Sequence, residues 1–159
     1  MKFNYFIIPI AIIATAYISR RYAMRGLQSW YEQLRKPTWT PSLQMISETW
    51  IFIYITIAVA VYWYWNIPLF SWMNYVVGIL LLANAVLNIY WTKIFFIEHD
   101  FAKAYKFINY LNGSTILIAI LMYFKSPFGA AFLLPYIVWV GIATFLVKEI
   151  WELNKVSQQ

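Results

Sequence analysis

Cysteine is absent from the 159-residue chain, histidine occurs once, and charged side chains make up only 11%. Without cysteine there is no disulfide framework, no thiol nucleophile and no thiolate metal site. One histidine excludes a histidine-rich metal centre. Carboxylate chemistry would fall to Glu32, Glu48, Glu98, Asp100, Glu149 and Glu152. Hydrolytic and metal-dependent enzymes are therefore poor candidates, and no metal or cofactor is expected. What abounds is apolar: hydrophobic residues are 63% and aromatics 21%, with 9 Trp, 13 Tyr and 12 Phe. A soluble domain carries about 25% charge, so this composition points to a membrane protein.

A spanning helix needs about 20 mostly apolar residues. Five stretches meet or approach that length: Phe3–Ser19, Ile46–Trp65, Leu69–Trp91, Phe107–Phe124 and Phe128–Val147. The first contains Pro9 and ends at Arg20-Arg21 without a small-residue cleavage site, so it reads as a retained helix rather than a signal sequence. The expected architecture is a single all-α domain over residues 1–159, a bundle of five transmembrane helices.

The connections are unequal. Asn66-Ile67-Pro68 and Lys125-Ser126-Pro127 make tight hairpins, whereas the first loop, residues 20–45, is long enough to act as a lid. It carries the densest motif, Trp30-Tyr31-Glu32-Gln33-Leu34-Arg35-Lys36-Pro37-Thr38-Trp39-Thr40-Pro41. There is no internal repeat, low-complexity segment or glycine-rich phosphate cradle. Arg20, Arg21, Arg25, Arg35, Lys36, Lys93, Lys103, Lys106, Lys148 and Lys155 fall on one side of the expected bundle, and only Lys2 and Lys125 on the other. The positive-inside rule puts the long loop and C-terminus in the cytoplasm and the N-terminus outside. Topology accounts for the net charge of +6, and no nucleic-acid partner is needed.

Polar residues inside the spans are costly in lipid and face the bundle interior. Asn84, Asn88 and Trp91 share one face of the third helix, and Asn109, Asn112 and Thr115 recur at helical spacing on the fourth. Two readings stay open, amides that join helices and polar anchors in an apolar ligand cavity. Trp63, Trp65 and Trp72, with Tyr62, Tyr64 and Tyr75, read as an interfacial aromatic belt. Trp50 has Tyr54 one turn deeper, and Trp139 follows Pro135, which would bend its helix, with Gly141 and Ala143 leaving room nearby. Those features suit a cavity that stacks a flat hydrophobic molecule.

Trp30-Tyr31, Leu34-Arg35-Lys36-Pro37-Thr38-Trp39-Thr40-Pro41, Trp50 and Tyr54 resemble the first loop and second helix of the tryptophan-rich sensory protein/translocator protein (TspO/MBR) family. Leu87-Asn88-Ile89-Tyr90-Trp91 with Ile94-Phe95-Phe96 resembles its third helix, and Leu134-Pro135-Tyr136, Trp139, Ala143-Thr144 and Trp151 its fifth. The resemblance implies a five-helix membrane protein, often a homodimer, that binds porphyrins such as protoporphyrin IX and heme or similar flat hydrophobic molecules. It implies a ligand site of Tyr31, Trp50, Tyr54, Asn88, Trp91, Trp139 and Ala143, with Asn84 facing the same way. Pro37, Trp39 and Pro41 would contact the ligand from the lid that folds over it. Propionates could meet a basic rim of Arg35, Lys36 or neighbours.

The chain departs from the family pattern where an acidic residue early in the fourth helix becomes Phe107, so that either Asn109 substitutes for it or the polar contact is missing. Glu48 places a carboxylate near the expected cavity mouth, and Leu146-Val147-Lys148-Glu149 lacks the tyrosine of the cholesterol motif. That absence counts mildly against cholesterol. Leu82 interrupts the small-residue pattern after Gly78 at the expected dimer face. Three functions follow: a porphyrin-binding sensor, receptor or transporter; a light-dependent porphyrin-degrading enzyme using Trp50 and Trp139 as catalytic residues; and a cholesterol- or lipid-binding or structural interaction protein. The Ile-, Lys-, Asn- and Tyr-rich composition fits a bacterial cytoplasmic membrane.

Overall fold

The computed structural model describes residues 4–27, 30–68 and 72–155. Phe3 and residues 69–71, which open the first and third expected spans, and Lys2 lie outside the described residues. Among the described residues every regular element is helical. They are α1 (Asn4–Leu27), α2 (Leu43–Asn66), α3 (Trp72–Lys93, continuing as a π-helical turn Ile94–Glu98), α4 (Phe101–Tyr123), the short α5 (Pro127–Ala131) and α6 (Leu134–Asn154). The fold is an all-α bundle of five long membrane helices.

Local chemistry sets the ends. Ser42 caps α2 by accepting from the Met45 N–H, Asp100 caps α4 through the Lys103 N–H, and Ser126 caps α5 through the Gly129 N–H. α3 widens into its π turn and stops at His99, whose φ of 56° is left-handed. The His99 ring then stacks on Trp30 with centroids 4.1 Å apart. Glu98 holds this corner through Lys93 at 3.1 Å and Lys103 at 2.9 Å.

Two elements differ most from the sequence-based spans, and α4 also starts ahead of Phe107, at Phe101. α1 runs on past Ser19 to Leu27, so the connection to α2 is shorter than residues 20–45. Hydropathy marks where the bilayer ends, and a helix is free to continue beyond it. The last span is not one bent helix. It is broken into α5 and α6, and Pro135 stands in the first turn of α6, where no backbone N–H is required.

Around the bundle α1 packs on α3, α3 on α4, α4 on α6, and α2 on α5, α6 and α1, closing a ring. Gly26 lets α1 touch the π turn, because a Cβ there would collide with the Phe96 carbonyl. Inside, one core gathers Ile53, Trp91, Phe95, Ile108, Val140 and Ile150. A second, at the opposite end, gathers Ala60, Tyr64, Val77, Ile118, Met122 and Leu133. Outside, Ile10, Ile55, Ile79, Ile120 and Phe145 stand exposed on the five long helices. An apolar exterior around a polar-centred interior belongs in lipid. α2, α3 through Glu98, and the α5–α6 run each have the length and apolar composition to cross a membrane. α1 and α4, of 24 and 23 residues, match them in length while carrying more polar side chains.

The aromatic belt is narrower than the sequence implies. Tyr62, Trp63, Trp72 and Tyr75 are exposed around the end of the bundle away from the first loop. Tyr64 is 0% exposed and Trp65 packs against the second core, so these two are interior. The reason is register: Tyr64 lies on the α2 face that also buries Ile53, Ala60 and Val61.

Candidate ligand cavity

The interior polar residues form one tier across the bundle. Asn88 Oδ1 accepts from Ser19 Oγ at 3.0 Å and from the Tyr54 hydroxyl at 3.4 Å. Asn88 Nδ2 donates to the Tyr136 hydroxyl at 3.4 Å, which donates onward to Asn84 Oδ1 at 3.0 Å. Asn84 Nδ2 then reaches Ser114 Oγ at 2.8 Å and Thr115 Oγ1 at 2.9 Å. The tier joins α1, α2, α3, α4 and α6, satisfying polar groups that lipid would leave unpaired. Both asparagines hold helices together, and of the two only Asn88 also faces the space on the first-loop side of the tier.

That space is a cavity of about 540 Å³ between the tier and the first loop. Its walls include Trp50, Tyr54, Asn88, Trp91, Trp139 and Ala143, with Tyr31 and Pro41 from the loop. The sequence-predicted residues Pro37, Trp39 and Asn84 do not line it. Trp50 stands edge-on to Tyr136 at 6.2 Å and tilted on Tyr54 at 5.9 Å, while Trp91 stacks parallel to Phe95 at 6.0 Å. The indole nitrogens of Trp91 and Trp139 are buried and have no hydrogen-bond partner. An unmet buried donor is costly, and here two of them belong to side chains that line one cavity.

The loop is pinned over this end of the bundle. Tyr31 opens a short 3₁₀ turn, is 4% exposed, and packs against Phe95 and Phe96. Burial pushes its phenol up to about 12, so it stays a neutral wall group. The Arg35 backbone is clamped twice by Asn154, its N–H donating to Oδ1 at 3.1 Å and its carbonyl accepting from Nδ2 at 2.9 Å. Pro37 accepts from Thr40 to close a turn, and Trp39, 44% exposed, donates its indole N–H to Glu149 at 3.0 Å. Pro37 and Trp39 thus shape and fasten the loop from outside the cavity.

The anticipated basic rim is elsewhere. Lys36 folds back onto the Glu32 and Leu34 carbonyls, 4.9 Å from the Tyr31 ring centroid, and neither it nor Arg35 lines the cavity. The charged side chain among the lining residues is Arg20, carried there because α1 continues beyond the apolar window. Glu48 is exposed, takes the Gln44 amide at 2.8 Å, and does not line the cavity. Asn109 lies on the outer face of α4 bonded to the Tyr105 carbonyl, so it does not replace the family's acidic residue. Ser19 and Tyr136 were not singled out by sequence reasoning. Tyr136 stands one helical turn before Trp139, and that spacing was the available signal.

A model of the TspO/MBR family matches residues 6–152 of the chain. The chain is also similar to Protein CrtK of Rhodobacter capsulatus, 24% identical over 127 residues that cover 79% of each protein.

Proposed function

The chain belongs to the TspO/MBR family, and on that premise we propose that it is a membrane-embedded binding protein for porphyrins or similar flat hydrophobic molecules, acting as a sensor or carrier. The observation that carries this reading is the cavity itself, whose walls bring Trp50, Tyr54, Trp91 and Trp139 around one largely apolar space beneath the first loop. Its volume falls in the range of about 300–1,000 Å³ common to small-molecule sites. A macrocycle would stack on Trp50, Trp91 and Trp139, and its carboxylates would meet Arg20 and the loop side of the pocket. In this reading the lid and C-terminus face the cytoplasm of a bacterial cell, and the protein works as a homodimer.

A second reading rests on Trp50 and Trp139 sharing the cavity. Light absorbed by a bound porphyrin would drive its oxidation by dioxygen beside these indoles, with the protein supplying proximity and a water-poor site. Cholesterol is the weaker ligand candidate, since a sterol makes no use of Arg20.

Protoporphyrin IX titrated into the purified protein in the dark, with tryptophan fluorescence followed, tests the binding reading. Saturable quenching that weakens in Trp50→Phe/Trp139→Phe supports it. Linear quenching of equal slope in both proteins means partition into detergent and opposes it. Illumination of a saturated complex then separates carrier from photochemical enzyme.

A further inference from the structure

Beyond the polar tier, on the side away from the lid, lies a second cavity of about 430 Å³ that the porphyrin reading leaves unused. Its walls come from the opening half of α1, the closing half of α2 and the opening half of α3, among them Ile8, Ile12, Ile57, Trp65 and Leu81. Tyr54 and Asn88 line both cavities, so the tier is a partition between two compartments in tandem.

The wall turns polar again at Asn74, in the first turn of α3. Asn74 is 5% exposed, and its Oδ1 accepts from Lys125 Nζ at 3.1 Å and from the Tyr64 hydroxyl at 3.3 Å. The Lys125 ammonium lies 4.6 Å from the Tyr64 ring centroid. Every carboxylate side chain of the protein is at the other end: Glu32 in the loop, Glu48 early in α2, Glu98 and Asp100 at the α3–α4 corner, Glu149 and Glu152 late in α6. Lys125 therefore has no anionic side chain to meet. Burial pushes its ammonium below the usual lysine range, a cost that a neighbouring anion would offset.

Lys125 does not itself line the cavity but stands directly behind the lining residue Asn74, and an apolar cavity with an amide and an unmatched cation at one polar spot is complementary to a molecule with an apolar chain and one terminal negative charge. We propose that this second cavity is a binding site for a long-chain carboxylate, whose headgroup sits at Asn74 and draws in the Lys125 ammonium behind it, and whose tail runs past Trp65 toward the tier. A neutral sterol or ester would fill the apolar volume equally but would gain nothing from Lys125. The two cavities share the wall residues Tyr54 and Asn88, but the proposal does not rest on the porphyrin reading.

Dibromostearate quenches nearby indoles and serves as the probe. It is titrated into the detergent-purified full chain, in parallel with its methyl ester, while tryptophan fluorescence is followed. The acid should quench saturably, and the ester should bind about tenfold more weakly, as for loss of one charge-assisted hydrogen bond. Lys125→Gln should weaken the acid about tenfold without changing the ester. Trp65→Phe should lower the quenching amplitude. Gly78→Leu should abolish binding by filling the cavity, since a Cβ at Gly78 meets only Trp65, at an ordinary 3.8 Å. Equal affinity for acid and ester, or linear quenching by the acid, overturns the proposal using the unmodified protein alone. Retained protoporphyrin binding in Lys125→Gln keeps the two sites distinguishable. Loss of porphyrin binding with dibromostearate binding intact would count only against the lid-side cavity.

Discussion

The Tyr136 hydroxyl donates to Asn84 Oδ1 across 3.0 Å, tying α6 to α3 at the level where the two cavities meet. Because Tyr136 also accepts from Asn88, its phenol is the node through which both asparagines share one network. Tyr136→Phe leaves Asn84 Oδ1 without this donor and Asn88 Nδ2 without this acceptor. The expected cost is about 1–2 kcal/mol, below the usual value for a buried bond because the unfolded chain in lipid also finds partners. A lower thermal midpoint for Tyr136→Phe in one detergent checks it. An unchanged midpoint would mean that the tier does not hold the bundle.

Asn84→Leu separates scaffold from site. Asn84 bonds Ser114 and Thr115 and does not line the lid-side cavity. The variant should lose stability while the surviving folded protein binds protoporphyrin within about twofold of the parent, as for a residue outside the site. A large loss of affinity at full occupancy of the fold would move Asn84 into the site.

The second helix was legible in the sequence, because Trp50 and Tyr54 at one-turn spacing place both rings on one wall of the cavity. Asn88 and Trp91 were legible for the same reason. The lid was legible as a segment but not in its parts. Trp39 looked like a ligand contact, yet it turns outward to Glu149, a partner 110 residues away that no local pattern reveals. Arg20 was counted as a loop charge because hydropathy does not report how far α1 continues. The break at residues 132–133 was hidden by an apolar run that reads as continuous, although Pro135 is as suitable for starting a helix as for bending one.

The lid is fastened by side chains that never touch the cavity, so its release should show in kinetics. Asn154→Ala removes two bonds to the Arg35 backbone. Protoporphyrin dissociation should speed up about 3–10-fold, taking each bond at about 0.5–1.5 kcal/mol and allowing for partial compensation by water. Stopped-flow displacement reads this directly. Unchanged dissociation would mean that ligand leaves by another route.

Arg20 gives a chemical signature. Arg20→Gln should weaken protoporphyrin IX by about 1.5–5-fold, the worth of an exposed ionic contact, and leave its dimethyl ester unaffected. Raised salt should erase the difference between parent and variant for the free acid. Equal effects on acid and ester would assign Arg20 to packing alone.

Gly26→Ala tests the support beneath the lid. The added Cβ meets backbone at Phe96, which cannot move away as a side-chain tip can. A loss of about 1–3 kcal/mol is expected from overpacking, visible in thermal unfolding. A midpoint equal to the parent would mean that α1 and the π turn are not held in contact.

The most direct measurement is the dark dissociation constant of protoporphyrin IX for the parent and for Trp91→Phe/Trp139→Phe, which leaves a phenyl ring at each position but shrinks both stacking faces of the cavity wall. Two weakened aromatic contacts at about 0.5–1.5 kcal/mol each predict a loss of about 5–150-fold with saturable binding retained. The same saturable affinity in parent and double variant would contradict the claim that these two indoles wall the porphyrin site.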